Sequence, residues 1–379
     1  MKIYIEASSL YGQQSGVGRY NETLFNELVK IRSEDQFVFF NFQRPNSVVK
    51  FNIAKSKNIK TKHIRWFPGR VFSFLMRRGL SLPMELFGIR GADVVVFPNF
   101  ISWASITQQK RISIVHDVAF LKYPNFVEKK NLKYLKTQLL KSIRRSSKVI
   151  AVSDFTKSEV IKKFHIEDGL VDVVYTSADR SFFYKRPKNE IARILLKHNL
   201  PPKYLLFVGN VEPRKNIVNL LKAYAESFEK YQIPLVVVGA KGWRDSDIKD
   251  LASTIIEQGK PIYFTGFVED NDLPALYSGA EIFLFPSLYE GFGIPVLEAM
   301  LCECPVIASN VSSLPEITNG AALLVNPKDA SSIRLGIESF LKNENLKKKY
   351  SKNGLARARS FSAFDNAKKF SKIIDSVLN

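Results

Sequence analysis

The chain has 379 residues, 45% of them hydrophobic, and its 56 Lys+Arg outweigh 36 Asp+Glu for a net charge of +20. That length and apolar content suit two globular domains. The two cysteines, Cys302 and Cys304, exclude a disulfide framework and read as core filling near a helix end rather than a metal site, while no apolar run approaches the ~18–20 residues of a membrane-spanning helix.

The opening Lys2–Ala7 reads as a strand, too short and too soon charged for a signal peptide. The expected location is therefore the cytoplasm, at the inner face of the cell membrane. Next comes Gly16-Val17-Gly18, then a helical face of Tyr20, Leu24, Leu28 and Ile31. The glycines suit either a simple strand-to-helix turn or a close approach to a ligand. A third glycine at the dinucleotide-fingerprint position is missing. Phe37–Phe42 is a second strand. In Ile64–Arg78, Trp, Phe and Leu interleave with Arg. This fits a surface dipping into a lipid interface, or an ordinary helix with its aromatics on a sheet and its arginines in water.

Asp93–Phe97 and Arg111–Val115 are compact buried strands, and the second ends in His116-Asp117. Strand C-termini in parallel sheets point into the ligand crevice. There His116 would donate to a sugar hydroxyl or phosphate with Asp117 orienting it, or would cap a loop. Asn131–Lys148 is a helix with Leu132, Leu135, Leu139 and Ile143 inward and its Lys and Arg outward, toward solvent or lipid phosphates. Lys148–Val152 is a strand, Ser153 or Asp154 caps the helix after it, and Val171–Tyr175 closes the first half. Residues 1–180 carry 30 Lys+Arg against 15 Asp+Glu, net +15, and the remainder 26 against 21, net +5. A basic half favours nucleic acid or an anionic lipid surface.

The second half repeats the alternation. Tyr204–Val208 is a strand, Gly209–Asn216 its loop, and Ile217, Leu220, Leu221 and Tyr224 begin a helix. Arg214 and Lys215 adjoin the positive end of that helix, against the dipole preference. Clamping an anion such as a diphosphate explains them. Leu235–Gly239, Ile262–Phe264 and Val306–Ala308 are further strands, Asp272–Ala280 and Asn343–Lys352 are helices, and Phe361–Leu378 is a final amphipathic helix. Asp245-Ser246-Asp247 and Asp270-Asn271-Asp272 have metal-like spacing but read better as helix-start caps.

The most informative stretch is Tyr289–Cys304. It follows the apolar run Ile282–Phe285, carries Gly291 and Gly293, and enters a helix at Pro295. Strand, glycine loop and helix N-terminus together suit a phosphate. Two carboxylates, Glu290 and Glu298, frame the loop. Beside a phosphate their natural targets are sugar hydroxyls. Phosphate flanked by polyhydroxyl groups describes a nucleotide-sugar.

With Glu290-Gly291-Phe292-Gly293 and Glu298 in place, the chain resembles the retaining glycosyltransferases of the GT-B fold, family 4, and within it bacterial mannosyltransferases of polysaccharide or O-antigen synthesis. The resemblance covers nearly the whole chain. It implies an α/β fold of GT-B type, with two Rossmann-like parallel-sheet domains facing an interdomain cleft. The expected domains are residues 1–182 for the acceptor, 183–360 for the nucleotide-sugar, and a helix at 361–379 crossing back to the first. By resemblance Glu290, Gly291, Phe292, Gly293 and Ile294 hold the donor sugar and diphosphate, and Glu298 holds the ribose. Arg214 and Lys215 stabilise the leaving diphosphate, and Asn210 stands where the family often has an arginine. Gly16, Gly18, His116, Asp117 and Ser153 match positions lining the donor from the first domain, and Gly266-Phe267 matches the turn that reads the base.

The expected reaction is hexosyl transfer with retained configuration, by front-face departure of the leaving group. His116, Arg214, Lys215 and Glu290 are the expected catalytic residues. No metal or other cofactor is required where protein cations neutralise the diphosphate. His116-Asp117 with Glu212–Asn216 looks most like the mannosyltransferase branch, hence GDP-mannose; a UDP-sugar is the alternative donor. The expected acceptor is a saccharide, free or linked to polyprenyl diphosphate, with peripheral contact to an anionic membrane. The rival reading, a basic nucleic-acid-binding protein, lacks any known motif, and most aromatics sit in apolar strand runs. No nucleic-acid partner is therefore expected.

Overall fold

The computed structural model describes residues 1–12, 16–43, 51–107, 109–127, 129–240 and 246–378. They form two compact units, Met1–Thr176 with Ser362–Asn379, and Ser177–Phe361.

Seven stretches of the first unit become β1 (Lys2–Glu6), β2 (Gln36–Phe42), β3 (Ile59–Ile64), β4 (Val94–Phe97), β5 (Lys110–Val115), β6 (Lys148–Ala151) and β7 (Val171–Val173). All pair in parallel, in the order β3-β2-β1-β4-β5-β6-β7. The second unit holds β8 (Leu205–Val208), β9 (Leu235–Val238), β10 (Ile262–Gly266), β11 (Ile282–Phe285), β12 (Val306–Ser309) and β13 (Leu323–Val325). These too are parallel, ordered β10-β9-β8-β11-β12-β13. Central strands such as Val-Val-Val-Phe in β4 and Ile-Phe-Leu-Phe in β11 are buried at every residue. Helices cover both faces of such a sheet, so neither face can be polar.

In each sheet the strand order reverses once, between β1 and β4 and between β8 and β11. Loops leaving two such neighbours depart to opposite faces and leave a crevice at the strand C-termini. This property of the topology places the candidate residues.

The final helix, Ala363–Leu378, belongs to the first unit. Its Phe370 ring meets Phe25 of the Gly16–Ile31 helix at 6.4 Å. Arg32 donates to Ser371 Oγ at 2.8 Å and pairs with Asp375 at 2.9 Å. The chain passes into the second unit at Thr176–Ser177, earlier than residue 183. Phe183 packs its ring on Tyr277 at 6.2 Å, and Arg180 donates to the Phe361 carbonyl at 3.0 Å, so this segment belongs to the second unit.

Several elements differ from expectation, among them the helix Ala330–Lys342, for which no element is expected. The first helix begins at Gly16 rather than Tyr20. β3 and β13 are edge strands that the sequence reading passes over, and so is the helix Lys188–Lys197.

Candidate active site

The site in the second unit is built where β8 and β11 lie side by side. After β8 the chain makes a short 3-10 turn, Pro213–Lys215, and the Ile217–Tyr231 helix starts behind it. Between them Asn216 takes a left-handed conformation, φ +61°. Its side-chain amide donates to the carbonyls of Pro286 at 2.9 Å and Pro327 at 2.6 Å. Leu288 N–H donates to the Arg214 carbonyl at 2.9 Å. The loop after β8 is thereby fastened to the loop after β11.

That fastening brings three charges together. Lys215 Nζ lies 2.7 Å from Glu290 Oε1, and Arg214 Nη1 lies 2.9 Å from Glu290 Oε2. Arg214 also donates to Glu212 at 2.7 Å and to the Tyr289 carbonyl at 2.8 Å. Lys215 and Glu290 are both buried, 8% and 7% exposed. The Lys215 ammonium stands 4.7 Å from the centroid of the Phe285 ring, a further attraction for a cation.

Burial alone would raise the Glu290 carboxyl; the Arg214 and Lys215 charges and the Lys215 hydrogen bond outweigh it and hold it at about 2. Burial pulls Lys215 below its ordinary value, and Glu290 opposes that pull. The Glu290 carboxylate thus favours the charged form of the buried lysine. An ammonium carries three donors, and among the described residues Lys215 gives one hydrogen bond, to Glu290. Its remaining N–H groups suit an anion.

The glycine loop follows. Gly293 takes φ +106°, and a Cβ there would come within 2.8 Å of Leu314. It leads into the Ile294–Leu301 helix with Pro295 in the first turn. Phe292 is a core residue, its ring 5.7 Å from Phe361. The Phe292 side chain is thereby committed to packing. Two serines absent from the sequence reading hold this loop. Ser313 Oγ donates to the carbonyls of Glu290 and Phe292, both at 3.0 Å, and Ser312 Oγ accepts from Glu290 N–H at 3.0 Å. Glu298 lies deep, 1% exposed, and accepts from the Tyr277 hydroxyl at 2.9 Å.

Of the other second-unit candidates, Asn210 is exposed in the loop after β8. Gly266 ends β10 with φ +69°, and Phe267 beyond it is 56% exposed. Gly239 is a missed residue: a Cβ there would sit 2.0 Å from the Gly209 carbonyl oxygen, so only glycine lets the two loops cross. Cys302 and Cys304 are buried and free. Asp272 is an ion-pair residue, with Lys197 at 2.7 Å and His198 at 2.8 Å. Asp245 lies outside the described residues. Among those described, no group of three His, Cys, Asp or Glu could hold a metal ion.

In the first unit His116 follows β5 and is buried, with its Nε2 2.8 Å from the Pro98 carbonyl at the end of β4. Tyr20 meets its ring edge-on at 5.1 Å. Asn21 donates to the same Pro98 carbonyl at 3.3 Å and to Ser9 Oγ at 2.8 Å. Burial holds His116 down at about 4, against a smaller upward pull from the Pro98 carbonyl. The ring is neutral at physiological pH, Nε2–H donating to Pro98.

Asp117 does not orient His116. Its carboxylate accepts from Ala119 N–H at 2.9 Å, because a helical turn starts there and needs an acceptor. Ser153 is the N-cap of Asp154–Phe164, its Oγ accepting from Thr156 N–H. It is fully buried, so its hydroxyl serves the cap. Gly16 and Gly18 lie in the first turn of the Gly16–Ile31 helix rather than in a loop. The structure therefore unites Arg214, Lys215, Glu290, Glu298 and the glycine loop in one unit, and Gly16, Gly18, His116, Asp117 and Ser153 belong to the other.

This geometry can be set beside known proteins. The model of the glycosyl transferases group 1 matches residues 189–357, and that of Glycosyltransferase Family 4 matches residues 14–182. The chain is 31% identical to the O-antigen chain mannosyltransferase B of Escherichia coli over 96% of each chain. It belongs to the group 1 glycosyltransferases. Among solved structures, the sucrose-phosphate synthase of Thermosynechococcus elongatus superposes with a TM-score of 0.75 at 20% identity, covering 100% of this chain and 99% of that one. HepE of Anabaena, in complex with UDP and glucose, gives 0.71 at 18% identity over 99% of each. These likenesses establish the GT-B type of fold.

Proposed function

We propose that this glycosyltransferase moves mannose from GDP-mannose to a saccharide acceptor, free or carried on polyprenyl diphosphate, in the synthesis of a cell-surface polysaccharide. The observation that carries the reading is the pairing of Arg214 and Lys215 on one buried carboxylate, Glu290, where β8 and β11 adjoin. The similarity to an O-antigen mannosyltransferase over 96% of the chain supports the sugar and the product class.

In this reading the donor diphosphate lies against Lys215, Arg214 and the backbone of residues 291–294. As the anomeric C–O bond breaks, negative charge grows on the leaving phosphate, and the two cations meet it already in place. Fixed protein charges do here what a divalent ion does elsewhere, so the transfer proceeds without a metal. Glu290 has two tasks: it favours the charged form of Lys215, and it accepts from the donor sugar's hydroxyls. Glu298, held by Tyr277, accepts from the ribose. Neutral His116, its Nε2–H given to the Pro98 carbonyl, keeps Nδ1 as a hydrogen-bond acceptor. The leaving phosphate assists the incoming hydroxyl on the same face, so the configuration is retained. The enzyme works in the cytoplasm, at the inner face of the cell membrane.

The test is transfer from GDP-mannose and from UDP-sugars to a mannan-type oligosaccharide in excess EDTA, with the product linkage read by NMR. An α-linked mannoside from GDP-mannose is the expected product. A β-linked product would overturn retention, loss of transfer with EDTA would overturn metal independence, and transfer from a UDP-sugar alone would replace the donor. The UDP bound in HepE gives that second donor its own support.

A further inference from the structure

We infer that Glu212 is a positioning residue for the transfer: its carboxylate holds the Arg214 guanidinium in the orientation from which it meets the leaving phosphate. This role rests on the reading of Arg214 as a cation for the leaving diphosphate. It gives a task to a carboxylate that the reading leaves without one.

The local backbone dictates the contact. Proline restricts the residue before it to extended backbone, and Glu212, ahead of Pro213, takes φ −133° and ψ 154°. Its N–H donates to the Asn210 carbonyl at 2.9 Å and its carbonyl accepts from Lys215 N–H at 3.0 Å, so Glu212 is tied on both sides. The 3-10 turn Pro213–Lys215 then carries the Arg214 side chain back beside it, and Arg214 Nη2 donates to Glu212 Oε1 at 2.7 Å. The other terminal nitrogen, Nη1, is held from the loop after β11, by the Tyr289 carbonyl at 2.8 Å and Glu290 Oε2 at 2.9 Å. A guanidinium is planar, so fixing both terminal nitrogens fixes the plane of its donors.

Neither stability nor anion binding accounts for Glu212. Its side chain is 21% exposed and that of Arg214 22%, and an ion pair in contact with water adds little to folding. For binding alone the carboxylate is a liability, since it repels the diphosphate that Arg214 is there to meet. Glu212 and Glu290 set against Arg214 and Lys215 leave these four charges with no net pull on a distant anion. What such an arrangement supplies is orientation. The cations are already aimed when charge develops on the leaving oxygen, instead of being gathered by the arriving ligand.

The test is steady-state transfer to a mannan-type oligosaccharide from whichever of GDP-mannose and UDP-glucose the wild type uses. The variants are Glu212→Ala, Glu212→Gln, Arg214→Ala, and Glu212→Ala combined with Arg214→Ala. In Glu212→Ala one terminal nitrogen of Arg214 is released while Glu290 keeps the other. We expect kcat to fall about tenfold, less than the ~10²–10³ of removing a preorganised donor outright. The donor KM should not rise, because an opposing charge has gone. Glu212→Gln keeps an oxygen that accepts from Nη2, and should bring kcat back to within about threefold of wild type. With Arg214→Ala already present, Glu212→Ala should lower kcat no further, since both changes remove one contact. Equal melting temperatures for wild type and Glu212→Ala separate lost orientation from lost fold. Wild-type kcat in Glu212→Ala, equal losses in the Ala and Gln variants, or an undiminished second loss in the combined variant would overturn the positioning role while leaving that of Arg214 standing. Arg214→Ala turning over like wild type would overturn both.

Discussion

Replacing Lys215 with methionine isolates what its charge does. The four-carbon stem is closely matched in volume, so its packing is kept while the ammonium is lost, and with it the Glu290 pair and the Phe285 ring contact. Removing one partner of a buried ion pair commonly costs ~3–5 kcal/mol because the other charge is stranded. Here Glu290 is not stranded, since Arg214 stays 2.9 Å from its second oxygen. The burial cost of the ammonium also disappears. We therefore expect a loss of about 2 kcal/mol, a fall in melting temperature of roughly 4–8 °C for a unit of this size. Turnover should suffer more. A preorganised charge facing a developing anion is worth ~10²–10³ in kcat, about 3–4 kcal/mol. The assay is release of nucleoside diphosphate with acceptor present, beside a calorimetric melt of the same sample. Turnover within about threefold of wild type, ~0.6 kcal/mol, would refute the assignment of Lys215 to the leaving group.

Two further outcomes follow from the buried groups. His116 is held at about 4 against an ordinary 6.5, so its stabilising effect is complete above 6.5 and is lost as pH falls toward 4. Glu290 is held at about 2 against 4.5, so its contribution, roughly 3 kcal/mol at neutral pH, is lost between 4.5 and 2. Urea midpoints measured from pH 7 to pH 3 should therefore decline in two overlapping stages. The first should be absent in His116→Asn, and an unchanged curve there would contradict the buried neutral ring. Tyr277→Phe removes the hydroxyl that donates to Glu298 at 2.9 Å. It should cost about 1 kcal/mol of stability and raise KM for the donor with little change in kcat. A selective fall in kcat would place Glu298 in the chemical step instead.

Much of this was legible in the sequence, for identifiable reasons. β4, β8 and β11 are unbroken apolar runs because both faces of their sheets are covered. β3, Ile-Lys-Thr-Lys-His-Ile, is an edge strand with exposed lysines, and it carries no such run. The Arg214-Lys215 and Glu290/Glu298 residues stand out because their charges contradict local helix preferences or surround glycines. Their contact does not stand out. Seventy-five residues separate Lys215 from Glu290, and only the strand order joins them. Ser312 and Ser313 were invisible for the same cause, being two ordinary serines whose work is set by a loop distant in sequence. The Asp117 error has a local origin: adjacency to His116 suggested a pair, but the backbone N–H of Ala119 is the nearer donor.

The central claim is that Arg214, Lys215 and Glu290 form the seat of a nucleoside diphosphate. The most direct measurement is thermal stabilisation of wild type and of Lys215→Met by GDP, UDP, GDP-mannose and UDP-glucose, without metal. A ligand at one hundred times its Kd adds about 2.7 kcal/mol. The account predicts that GDP and GDP-mannose give such a shift in wild type and a far smaller one in the variant. A shift from UDP compounds alone would keep the site and replace the donor. No shift with any of the four, or equal shifts in both proteins, would contradict the claim.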